Sequence, residues 1–168
     1  MANSNPEYWL RGPVEGIPAL LQPAAHALLQ TRLEARTYTQ DFDESLLWEK
    51  PHGRASVGFH LQHIAGVIDR MLTYAKQKPL SKKQLDYLHQ EGKPNQAIGL
   101  EDLLLHLETK IDEALLYFKK LEGEDLTSFR SVGRKELPST LLGILFHAAE
   151  HSQRHIGQLL VSVSSLEN

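Results

Sequence analysis

His147, His151 and His155 recur at steps of four residues in the last quarter of the chain. On an α-helix that step places successive side chains about 40° apart on one side, so adjacent rings can reach one ion. A second group, His60 and His63, lies in Phe59-His60-Leu61-Gln62-His63-Ile64-Ala65. Neutral imidazoles are borderline ligands that suit zinc, nickel or iron(II). Three of them leave coordination positions open, and a cation held that way lowers the pKa of the water or thiol it binds. The chemistry in view is therefore metal-assisted activation of a nucleophile. The chain has nine His and no Cys, so disulfides, thiolate nucleophiles, iron–sulfur clusters and Cys-type zinc sites are excluded.

Helical projection sorts these rings. With His151 as origin, the apolar arc runs from Ile144 through Leu141, Leu145, Ile156 and Leu160 to Phe146. His155 falls just inside it, His151 at its edge, and His147 beyond it beside Glu150, Arg154 and Gln158. In the other segment His60 lies inside the apolar arc and His63 at its edge; either can supply a third imidazole, and the projection does not choose between them. His60 reads equally well as a satisfied core histidine, and His147 as a surface residue. His26, His52, His89 and His106 have no partner pattern and read as solvated or locally hydrogen-bonded. Glu150 is a candidate to hydrogen-bond a ligand imidazole but points outward, while Gln62 and Gln158 are polar rim candidates. No interior Asp or Glu is expected beside the cluster, so no general base emerges.

Two rival motifs fail. His147-Ala148-Ala149-Glu150-His151 matches the H-x-x-E-H pattern of inverted zinc peptidases, but those need an acidic ligand far downstream and only seventeen residues follow His151. A di-iron carboxylate bundle needs Glu-x-x-His on each of two helices, whereas His60, Ala148 and Ser152 stand three residues before His63, His151 and His155.

The elements that must carry these rings follow from periodicity. Residues 1–18, with Pro6, Gly12, Pro13, Gly16 and Pro18, read as an irregular arm whose Tyr8 and Trp9 pack on the domain. A first long helix is predicted from Ala19 to about Gln40, with Pro23 tolerable only near its start. The connection Phe42–Ala55 should lay Trp48 on the core. Ser56 caps a second helix, Val57 to about Gln77, ended by Pro79. A short helix, Ser81 to Gln90, and the breaker Gly92-Lys93-Pro94-Asn95 form a long crossover. A third long helix spans Leu100 to Leu121 and closes at Gly123. After a second long connection, Glu124–Pro138, Ser139 caps a fourth, Thr140 to about Val163. No strand alternation of any length is evident. The expected fold is all-α, a four-helix bundle with long crossover connections in a single domain over residues 1–168.

Composition agrees. A length of 168 residues suits one core, and a net charge of −3 with a pI near 6.3 presents no basic footprint for nucleic acid. The opening MANSNPEYWLR has neither a basic nor an apolar targeting region, and no run approaches the ~18 apolar residues of a membrane span, so a cytoplasmic protein with no membrane partner is expected.

Ser56–Gly66 (SVGFHLQHIAG) and Glu150–Gln158 (EHSQRHIGQ) together resemble the DinB/YfiT-like superfamily, and the layout does so from about residue 19 to 163. The resemblance implies a four-helix bundle of up-down-down-up topology holding a divalent metal, commonly nickel or zinc, on three His. Carried over residue by residue, these are His63, which precedes the Ile-Ala pair, with His151 and His155. Many relatives have His-Arg-Gly-Gln where this chain has His155-Ile156-Gly157-Gln158, so any anion-binding role of that Arg is absent or passes to Arg154. Some relatives resemble S-transferases that use a low-molecular-weight thiol, and others are assigned as metal-dependent hydrolases. The reading that follows is a metal-dependent hydrolase or thiol S-transferase acting on a small-molecule substrate. A homodimer is expected, since such bundles pair through helix faces. The alternative is a non-enzymatic bundle, stress-associated or interacting with a partner, whose ion only stabilises the fold.

Overall fold

Four long helices dominate the computed structural model, which describes residues 5–167: α1 (Gln22–Tyr38), α2 (Val57–Ala75), α4 (Leu100–Lys119) and α5 (Leu141–Leu166). The short α3 (Lys82–Gln90) lies between α2 and α4, and the strands β1 (Phe129–Val132) and β2 (Leu137–Thr140) lie between α4 and α5. α1 packs on α5 and α4, and α2 packs on the same two helices, so the four close a ring in which chain neighbours α1 and α2 stand diagonally. Leu28 of α1, Leu61, Ile64 and Ile68 of α2, Leu107, Ile111 and Phe118 of α4, and Ile144 and Leu145 of α5 fill the centre, all fully buried. Each such side chain contributes about 1.5–3 kcal/mol of burial.

Local chemistry sets the boundaries. Residues 19–21 form a turn of 3-10 helix and α1 proper begins only at Gln22, because Pro23 has no N–H and its ring would clash with the carbonyl four residues back. Ser56 Oγ accepts from Phe59 N at the start of α2, and Ser81 with Gln84 forms a reciprocal capping box on α3. Gly99 is the N-cap of α4; Asp102 accepts from Gly99 N, and Glu44 reaches across to accept from Leu100 N at 3.0 Å. Trp48 lies against the core as expected, next to the buried Leu47, and Gly58 leaves the space for the indole: a Cβ there would sit 2.6 Å from Trp48 Cζ3.

Three expectations need correction. The connection before the last helix is not purely irregular but contains the antiparallel hairpin β1–β2, with Phe129 opposite Thr140 and Val132 opposite Leu137. Four-residue strands show too little alternation to stand out, and the turn depends on Gly133 and Glu136 at positive φ. Arg130 Nε donates to Ala75 O at 2.8 Å and pins the hairpin to the end of α2. The cap of α5 is Thr140, the last residue of β2, whose Oγ1 accepts from Gly143 N; Ser139, one residue earlier, pairs with Arg130 inside the hairpin. In the arm, residues 1–4 lie outside the described residues; Tyr8 N donates to Gln30 Oε1, but Trp9 remains 63 % exposed, its indole N–H donating to Glu7 instead of entering the core. Among the described residues no helix is long and apolar enough to cross a membrane.

Candidate metal centre

α2 and α5 lie side by side, and their facing turns carry the imidazoles. His63 comes from the second turn of α2, where Phe59 one turn earlier stacks on it, ring centroids 5.0 Å apart and planes 13° from parallel. His151 and His155 come from the middle of α5. The centroid separations are 4.5 Å for His63–His155, 4.6 Å for His151–His155 and 5.2 Å for His63–His151, and His63 Nε2 lies 3.0 Å from His151 Nε2. One nitrogen from each of the three rings falls within 4.8 Å of the others, close enough to share an ion.

His60 does not belong to this group. It is buried at 2 % exposure behind His155, with Nδ1 3.0 Å from His155 Nδ1. His147 is on the outer side, where its Nδ1–H donates to Glu150 Oε1 at 2.8 Å. His147, Glu150 and His151 form a second set of possible ligands, but Arg154 Nη2 reaches into it, 2.8 Å from Glu150 Oε1 and 3.1 Å from His151 Nδ1. His52 and His89 are exposed, His26 bonds the arm carbonyl of Gly12, and His106 lies beside Tyr87.

Electrostatics favours neutral rings. Burial, and then the neighbouring His63, push His60 down to about 4 and His151 to about 4; burial followed by His63, His151 and His60 push His155 to about 3. Near neutral pH these imidazoles keep the lone pairs that a cation needs. The donor set fits a borderline divalent ion, and the Phe59 ring covers one face of His63.

One residue contradicts the expectation that no interior carboxylate flanks the cluster. Glu91, the residue that ends α3, has a side chain 4 % exposed; its Oε2 accepts from His63 Nδ1 at 2.7 Å and its Oε1 from Arg70 Nη1 at 2.6 Å. Gln62, expected on the rim, is buried instead, and its Oε1 accepts from Gly92 N at 2.8 Å, holding the chain that carries Glu91. Arg70 is a usable sign: it stands seven residues after His63 on the same face of α2, near the apolar Val67, Ile68, Met71 and Leu72, and a buried guanidinium needs a carboxylate. Nothing in the sequence says that the carboxylate comes from α3.

A family model described as the DinB superfamily matches residues 24–159. The chain belongs to the DinB superfamily. A search of the curated proteins finds no match. The DinB span holds all four rings of the α2–α5 seam together with Glu91 and Arg70, and leaves out the N-terminal arm. Ile156, which departs from the Arg expected of many DinB proteins, is 2 % exposed in the core, so this helix has no room for a charge there; Arg154 is the cation at the rim.

Proposed function

We propose that His63, His151 and His155 hold a divalent cation, nickel or zinc before iron(II), and that the protein is a metal-dependent enzyme acting on a small-molecule substrate by hydrolysis or by S-transfer from a low-molecular-weight thiol. The observation that carries this reading is the meeting of three ring nitrogens, from two helices, within 4.8 Å. The ring of helix contacts and the DinB match support a single four-helix-bundle domain of up-down-down-up topology. A cytoplasmic homodimer remains part of the proposal.

When bound, such an ion supplies Lewis-acid chemistry, lowering the pKa of the nucleophile. The chain's own residues do the rest. Phe59 holds the His63 ring by stacking and keeps water from that side. Glu91 accepts the Nδ1 proton of His63, which leaves the Nε2 lone pair turned toward His151. Arg154 can only donate, so His151 now accepts at Nδ1 and carries its proton on Nε2. For His151 to ligate through Nε2 the proton must pass to Nδ1, and Arg154 must then let go. A guanidinium freed in that way would stay beside the cluster, where it could orient an anionic group of substrate or thiol.

The test is elemental analysis of protein dialysed against a chelator and reloaded, followed by a screen of thiol conjugation and of ester and amide hydrolysis with and without the ion. Stoichiometric nickel or zinc and an ion-dependent turnover are expected. Failure to retain either ion ends the proposal.

A further inference from the structure

α3 buries none of its own side chains, yet it delivers the enclosed carboxylate of Glu91 to the imidazole cluster. Two glycines on different elements make the room. A Cβ at Gly66 of α2 would lie 2.2 Å from Glu91 Oε1 and 2.6 Å from Arg70 Nη1, and one at Gly92 would lie 2.9 Å from Phe59 Cδ2, with the Gly92 backbone already at φ +77°. The segment is tied down on both sides: Tyr87 OH donates to Gln62 O at 3.1 Å and Gly92 N to Gln62 Oε1. Burying an ion pair costs desolvation that its mutual attraction often fails to repay, so the Glu91–Arg70 pair is a poor device for stability alone. Its geometry serves another end, because one oxygen is given to Arg70 and the other to the outer nitrogen of His63.

We infer that Glu91 is the positioning residue of the cation centre. It keeps His63 in the tautomer whose Nε2 lone pair faces His151, and Arg70 keeps the carboxylate from turning away. The inference rests on the reading of His63 as a ligand. It makes the α3 crossover part of the site and not merely the link between α2 and α4. Partners that hold the outer nitrogen of a ligating imidazole set ring orientation and basicity, and their loss weakens metal affinity by about 10- to 100-fold.

Two measurements test it. Long-range 15N–1H NMR on the metal-free protein reads which nitrogen of His63 is protonated, and titration with nickel against a chromophoric chelator reads affinity. The variants are Glu91→Gln, whose amide must turn its NH2 toward either His63 or Arg70, and the pair Arg70→Met with Glu91→Leu, which removes acceptor and buried charge together and serves if the first does not fold. The native chain should show His63 protonated on Nδ1. The folded variant should show a mixture of tautomers and a nickel affinity lower by about 10-fold or more, with an unchanged helical circular dichroism spectrum. A native His63 protonated on Nε2, or native affinity in a folded variant, overturns the inference. A native chain that binds neither nickel nor zinc instead defeats the proposed function, and the tautomers still decide for or against Glu91.

Discussion

His151 and His155 on the inner side of α5 and His147 on its outer side are the same side chain one helical turn apart, yet they keep different company. The inner pair meets His63 and His60 of α2, while His147 meets Glu150, three residues along its own helix, in a group closed by Arg154. The outer contacts are of the i,i+3 and i,i+4 kind that any isolated helix can form, worth about 0.2–0.5 kcal/mol each. The inner contacts exist only because a second helix lies opposite, and there burial and crowding drive the rings toward the neutral state. Spacing along one helix thus supplies candidates, and the facing helix gathers some of them into one cluster.

The contrast breaks most sharply under alanine substitution. His151→Ala should abolish retention of nickel or zinc after dialysis, and His147→Ala should leave it intact; elemental analysis decides, and equal loss at both positions would erase the distinction drawn here.

Acid is the next largest effect. The rings of His60, His151 and His155 titrate at about 4, about 4 and about 3 in the folded chain, against an ordinary value of 6.5. Between those values the unfolded chain binds more protons than the folded one, so stability of the metal-free protein falls as pH drops from 6.5 toward 4 and is insensitive to these rings above 6.5. The groups facing them are His63, Arg154 and His147, which hold the rings down, and Glu150, which opposes that at His151. Urea midpoints compared at about pH 7.5 and about pH 5 measure this, and a flat profile would mean that the inner rings bear no burial cost.

Gly66→Ala sharpens the comparison on its buried side. The added methyl collides with the Glu91–Arg70 pair, and nickel affinity should fall by about 10-fold, the worth of a lost outer partner, with His147 unaffected in its NMR shift. The smallest expected change is a gain. Arg154→Ala removes a donor that holds His151 in the wrong tautomer for ligation through Nε2, so nickel affinity should rise by about fivefold or less, the worth of one hydrogen bond, as read by the same chelator titration. Weaker binding in that variant would mean that Arg154 supports the centre and does not compete with it.

The fold is legible in the order of residues to a degree that varies from part to part. The four long helices are legible because each repeats an apolar stripe over many turns, and Ser56 marks the start of α2; the starts of α1 and α5 lie three residues and one residue later than their sequence signals suggest. The hairpin is not legible, since strands of four residues carry no periodicity, and its turn depends on a positive φ at Glu136 that residue type does not announce. His60 and His63 remained tied on the helical projection, and only the family likeness favoured His63. In the structure, three residues of α2 separate a ring that faces the cluster from one that sits behind His155.

Residue type and spacing are enough for the helical class, the order of the long helices, the absence of any cysteine thiolate and the two turns from which imidazoles can be offered. These are properties of residue type and spacing within one element, where the period of the helix sets which side chains share a face. Tertiary structure alone decided that α2 opposes α5, that Glu91 arrives from a crossover 28 residues after His63, and that Arg70 and Gly66 receive it. Contacts between elements depend on how the crossovers fold back, and a carboxylate at the end of a short exposed helix looks solvated until the core of another helix closes over it.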